Sequence, residues 1–167
     1  MALRIIREIG DPVLNKKAKP VKEMNQRMQQ LVKDMFETMY ETGGVGLAAP
    51  QVGILKRIVV IDVSEEQNEP IVLVNPEITQ KDGEQTGMEG CLSVPGKCGQ
   101  VTRPQHVAVR AFDAEMKEIT VEGEDLLARA ICHELDHLEG KLYVDLVEGE
   151  LQDAAEDEEV AEAPGEE

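Results

Sequence analysis

The sequence predicts an α+β domain in which mostly antiparallel sheets pack around a buried central helix. Three observations carry that prediction. Two segments repeat apolar residues at three- and four-residue steps, the helical period. Several short segments rich in Val and Ile are separated by turn signals, as strands are. The second helical segment is apolar over so wide an arc that it has to be buried. With 167 residues the chain is long enough for one ordinary domain with a single core.

Taken in order, residues Gly10 to Pro20 read as an irregular arm, with Gly10-Asp11-Pro12 as a turn signal. A helix follows. Met28, Leu31, Val32, Met35, Phe36, Met39 and Tyr40 make one apolar stripe, Asn25 is placed to cap its start, and Gly43 is placed to stop it. Such a stripe reads as core packing. Next comes the glycine-rich segment Gly43 to Gln51. Arg57–Val63 and Ile71–Asn75 read as strands, and their near-continuous apolar character predicts burial on both faces. Asn75-Pro76 and Lys81-Asp82-Gly83 mark turns. His106–Phe112 alternates, with Val107, Val109 and Ala111 on one side, and a turn at Asp113 to Met116 lets Lys117–Val121 return as a hairpin partner. The second helix runs from about Asp125 to Glu139, and Gly140 can close it in the left-handed conformation. Residues 1–147 are expected to form the domain, and 148–167 an acidic tail, mobile or a frayed helix.

Charge narrows the function. The formal net charge is −17, and ten of the acidic residues lie between Glu148 and Glu167, where no Lys or Arg occurs. Such a balance argues against nucleic-acid binding, which needs cations to neutralise phosphates. The three cysteines, Cys91, Cys98 and Cys132, suit a reducing compartment better than a disulfide framework. No apolar run approaches the roughly 20 residues that span a bilayer. The expectation is a cytoplasmic protein with no membrane partner.

Chemistry concentrates in Cys132-His-Glu-Leu-Asp-His137. A helix turns about 100° per residue, so His133 and His137 differ by only about 40° and both imidazoles can reach one metal ion. Glu134 lies about 60° beyond His137 on the same side, where it can miss the metal and still reach a metal-bound water. Two His and one Glu inside a buried arc are costly unless something satisfies them, and a metal does so. An accidental match on an amphipathic helix is the competing reading. Catalytic centres of this kind use three protein ligands and a water. Cys91, flanked by Gly90, is a sound third ligand; a buried structural cysteine is the alternative, and Cys98 and Cys132 are rivals for the role. A fourth ligand at Cys98 would close the site and make it structural. A downstream Glu such as Glu156 or Glu158 would instead suit a zinc endopeptidase.

Three motifs in order carry a family resemblance: Gly44-Val-Gly-Leu-Ala-Ala-Pro-Gln51, Glu89-Gly-Cys-Leu-Ser-Val-Pro95 and His133-Glu-Leu-Asp-His137. With Gly10-Asp11-Pro12-Val13-Leu14 they resemble the peptide deformylases, over roughly Met1 to Val147. The resemblance implies the fold of that family and hydrolysis of the N-formyl group from N-formylmethionyl peptides of nascent chains, releasing formate. It implies one divalent metal, typically Fe2+, often replaced by zinc, nickel or cobalt, held by Cys91, His133 and His137. It also implies Glu134 as acid/base, with the Gln51 side chain and the Leu92 backbone N–H receiving the oxyanion. Val45, Leu126, Ala130 and His133 would line the methionine pocket, while Gly46 and Gly90 leave backbone open to an extended peptide. Glu89 and Arg103 are expected to pair and brace the Cys91 loop. A monomer is expected, with transient proximity to the ribosome but no docking on RNA through the acidic tail.

Overall fold

A computed structural model describes residues 2–153. After an N-terminal arm and a 3₁₀ turn at Pro12–Asn15, helix α1 spans Gln26–Glu41. Asn25 caps it as expected, its side chain accepting from the Met28 N–H at 3.0 Å. Strand β1 (Gly46–Ala48) leads into a 3₁₀ turn at Ala49–Val52. Strands β2 (Ile58–Ile61), β3 (Ile71–Asp82), β4 (Gln85–Cys91), β5 (Val94–Arg103), β6 (His106–Phe112) and β7 (Glu118–Glu124) follow. Helix α2 spans Asp125–Leu138, and strand β8 spans Glu148–Asp153.

Every paired strand is antiparallel. The larger sheet has the order β1-β2-β3-β6-β7 and the smaller one β4-β5-β8. Alternation places β2 between two cores. Val59 and Ile61 join Leu73, Val107 and Val109 against Ile131, Leu135 and Leu138 of α2. Ile58 and Val60 face the other way, onto Leu31, Val32, Met35 and Met39 of α1. This is why β2 is apolar at every position, as the sequence predicted. The helix bearing the His-Glu-Leu-Asp-His motif is thus the covered one, buried from Ala128 to Leu135.

The structure revises two expectations and adds strands for which none was stated. Asn75-Pro76 is no turn. It is a bulge inside the long strand β3, where the register shifts between Val74 and Glu77. Asn75 adopts φ +52° there, and its side chain exchanges two hydrogen bonds with the Val21 backbone, at 2.8 and 2.9 Å. Strands β4, β5 and β8 were not read from the sequence, because they lie mostly near the surface and lack an apolar alternation. The boundary at Val147 also moves. Glu148–Asp153 are β8, paired to β5, with Lys97 and Asp153 joined at 3.2 Å and the Thr102 hydroxyl donating to Glu148 at 2.6 Å. Backbone pairing and these contacts order a segment whose composition alone reads as tail. The rest of the expected tail, 154–167, lies outside the described residues, and so do Glu156 and Glu158.

Candidate metal centre

Cys91 ends β4 and the two histidines sit one helical turn apart on α2. The fold brings the three together: their ligand atoms all lie within 4.8 Å of one another. Cys91 Sγ is 3.4 Å from His137 Nε2. Zn–S and Zn–N bonds at a tetrahedral angle would put such atoms about 3.5 Å apart, so the pair fits a shared ion. Among the described residues no fourth His, Cys or carboxylate joins the trio. Cys98 lies on β5 and Cys132 is buried in the core against the larger sheet. Of the three cysteines, Cys91 is the one grouped with the two histidines among the described residues.

His133 is oriented from behind. Its Nδ1 lies 3.0 Å from Glu89 Oε1, and since a carboxylate only accepts, Nδ1 carries the proton and Nε2 is left for a ligand. Tyr143 stacks on the same ring at 5.9 Å between centroids. Glu89 is itself gripped by Arg103, whose Nε and Nη2 donate at 2.7 and 2.9 Å, and by Arg129 Nη1 at 2.7 Å. Arg103 Nη1 also reaches Asp136 at 2.8 Å. The expected Glu89–Arg103 pair is present as a bidentate fork. Burial pushes the Glu89 carboxyl up, but the bonds and charges of Arg103 and His133 outweigh it and hold it down at about 2. Glu89 is therefore a fixed negative charge behind the site.

Burial opposes a charge on His133, yet Cys91, Glu89 and Glu134 together raise it to about 10. Negative surroundings that hold a proton so firmly also attract a metal cation, which takes the proton's place. His137 is pushed well below its ordinary value by burial and by the charges of His133 and Arg103, which leaves it neutral, the ligating form. Glu134 is raised to about 7, first by burial and then by Glu89 and Asp136. That is the range suited to accepting and returning a proton at neutral pH. Glu134 Oε1, beside the ligand atoms, is buried without a hydrogen-bond partner. Buried polar atoms are as a rule satisfied, so this carboxylate fits a site that takes up a water.

Gln51, in the 3₁₀ turn after β1, completes the wall. Its Oε1 accepts from the Ala48 N–H at 3.0 Å, which fixes the amide so that its NH₂ points inward. That NH₂ donates to Ser93 Oγ at 3.0 Å and faces Cys91 Sγ at 3.5 Å. A cavity of about 430 Å³ opens beside these groups, lined by Val45, Gly46, Gly90, Leu92, Leu126 and Ala130 among others. Val45 and Leu126 are 39 % and 48 % exposed, so they are not ordinary core. Gly46 is required by close approach: a Cβ there would lie 2.6 Å from Glu134 Oε2.

A model of the family described as polypeptide deformylase matches residues 3–152. The chain belongs to the peptide deformylase family. It is 65% identical over 153 residues to a peptide deformylase of Agathobacter rectalis, covering 92% of this chain and 95% of that one. To the enzyme of Lachnoclostridium phytofermentans it is 62% identical, again over 92% of this chain and 94% of the relative. A solved peptide deformylase from Legionella pneumophila superposes with a TM-score of 0.85 at 47% identity, covering 87% of this chain and 86% of that one. This deformylase is thus a metal-dependent hydrolase that removes the N-formyl group from N-formylmethionyl peptides of nascent proteins and releases formate.

Sequence reasoning missed Arg129, Asp136 and Ser93 as partners of the deformylase site. Arg129 carried a usable signal. It lies one turn before His133, on the side of α2 that Asp136 shares, and a cation within a buried helix has to be paired. Ser93 carried none, because its role depends on a loop meeting Gln51 across the fold.

Proposed function

We propose that Cys91, His133 and His137 hold one divalent metal ion, with Fe2+ the native choice and Zn2+, Ni2+ or Co2+ as substitutes, and that Glu134 is the acid/base of deformylation. The observation that carries this is the convergence of the three ligand atoms, with Glu134 beside them on the cavity wall. When bound, such a metal acidifies a water toward a pKa of about 7 and polarises the formyl carbonyl. Glu134 takes the proton as that water attacks the formyl carbon, then returns it to the departing amine nitrogen. The Gln51 NH₂ and the Leu92 backbone N–H receive the developing oxyanion, each worth about 3 kcal/mol.

The peptide lies extended. β1 is an edge strand of the larger sheet and β4 of the smaller, so Gly46 and Gly90 border unpaired backbone on which a substrate strand can add. Val45, Leu126 and Ala130 receive the methionine side chain, and the small Ala130 leaves room for a flexible thioether. Glu89 and Arg103 keep His133 and the Cys91 loop aligned. No helix among the described residues is long and apolar enough to cross a membrane. The enzyme works as a cytoplasmic monomer that meets nascent chains near the ribosome. Metal analysis of Cys91→Ala tests the ligand set: loss of the ion with the fold retained is expected, and full metal content in that variant would refute it.

A further inference from the structure

The N-terminal arm touches both loops that carry the oxyanion donors. The Arg7 N–H donates to the Gln51 carbonyl at 2.7 Å, and the Ile9 N–H donates to the Ser93 carbonyl at 2.8 Å. Gln51 bears one proposed donor, and Ser93 follows Leu92, which bears the other. The two loops are far apart in the chain and meet where the Gln51 amide donates to Ser93 Oγ and faces Cys91 Sγ. The arm joins them a second time, from the backbone side.

The arm is itself anchored upstream and down. The Ala2 N–H donates to Asp34 Oδ1 and the Arg4 N–H to Thr38 Oγ1, both at 2.9 Å, which ties the arm to α1. Arg4 also pairs with Asp34 through its guanidinium. Beyond the turn, Leu14 is buried and the Ala18 N–H donates to Leu138 at the end of α2. Arg7 lies across Gly53, the left-handed residue that closes the Gln51 turn; a Cβ there would meet its Nη2 at 2.7 Å. The two amides are two residues apart, and Ile9 opens the turn that the Asp11 N–H closes on the Glu8 carbonyl at 3.0 Å. Arg7 and Ile9 therefore bridge the two loop backbones.

We infer that the backbone amides of Arg7 and Ile9 are positioning groups for deformylation, setting the distance between the Gln51 and Leu92 oxyanion donors. The inference rests on the oxyanion reading of those two residues given above. It gives these two amides a positioning role in the reaction, although neither touches the reacting atoms. Misplacement of a reacting geometry by about 1 Å can cost about 10²-fold in rate.

The test compares kcat and KM for formyl-Met-Ala-Ser in four metal-loaded full-length variants: Ile9→Pro, Ile5→Pro, Gln51→Ala and the Ile9→Pro/Gln51→Ala double. Ile5 is exposed and is not one of the arm's donors to the two loops, so it controls for proline itself. Metal content and thermal unfolding are read alongside. Expected is a fall in kcat on the order of 10²-fold in Ile9→Pro with KM little changed and metal retained, the split that loss of transition-state contacts gives. Ile5→Pro keeps its kcat, and the double variant loses much less than the product of the single losses. Should Ile9→Pro fail to fold, an amide-to-ester exchange at position 9, which removes only the N–H, replaces it. If Gln51→Ala loses kcat while Ile9→Pro matches Ile5→Pro, the arm proposal falls and the oxyanion reading stands. Independent, multiplying losses also overturn the arm proposal. An unimpaired Gln51→Ala overturns both.

Discussion

At the residue scale, the site depends on groups that are individually costly to bury. Glu89 has Arg103, Arg129 and His133 to satisfy it, and removing Glu89 would take the carboxylate partner from the buried Arg129. Gly46 carries a steric demand within the site. Because its missing Cβ would sit 2.6 Å from Glu134 Oε2, Gly46→Ala should push the carboxylate aside and cut kcat at least tenfold while metal content is unchanged. Steady-state kinetics paired with metal analysis checks this; wild-type kcat would show that Glu134 has room to adapt. The sequence made the histidine pair and Glu134 legible, because their spacing alone puts them on one side of a helix. It left Cys91 in competition with Cys98 and Cys132, since chain neighbours carry no information about which thiol reaches His137 across the fold.

At the element scale, α1 and α2 were readable because each presents a sustained apolar period. β4 and β5 were not, because glycines and polar residues dominate a sheet with little burial. Yet β4 delivers Cys91 and Glu89, so the least legible sheet supplies part of the best-defined site. The close of α2 is under double constraint. Gly140 has φ +78°, and a Cβ would meet the Asn15 carbonyl carbon at 2.7 Å. Gly140→Ala should destabilise by more than about 1 kcal/mol, seen as a lower denaturant midpoint with an unchanged slope. Asp62, after β2, secures α1 from the other side by accepting from Tyr40 at 2.6 Å and from the Ser64 and Glu69 N–H groups. Burial pushes its carboxyl up, but these bonds and the Ser64 hydroxyl hold it below its ordinary value. A depressed pKa contributes stability above the unfolded value, about 3.9, and loses it as pH falls through the folded value. Asp62→Asn should therefore cost about 1.5 to 3 kcal/mol at pH 7, and the gap from wild type should narrow below about pH 4. Urea titrations at the two pH values decide it; a gap that persists in acid would refute the ionic account.

At the scale of the whole molecule, the five-stranded sheet stands between α1 and α2, and the site forms where α2 meets the smaller sheet and the Gln51 turn. The fold class was legible because two helical periods and alternating strands leave few other arrangements. The extent of the ordered chain was not, because β8 is held by edge pairing and surface contacts that composition does not reveal. With a net charge of −17, ten units of it from Glu148 onward, the enzyme should not dock on ribosomal RNA through this end. Co-sedimentation with ribosomes across a salt series is expected to show no tail-dependent binding; salt-sensitive binding lost on deleting 148–167 would contradict it.

In the proposed centre, one metal held by Cys91, His133 and His137 works with Glu134 to deformylate peptides. Formate release from formyl-Met-Ala-Ser by anaerobically purified enzyme, wild type beside Glu134→Ala with metal content measured in both, tests it most directly. A fall of about 10²- to 10⁴-fold in kcat is expected for a variant that still holds its metal. A metal-replete Glu134→Ala that releases formate at the wild-type rate would contradict it.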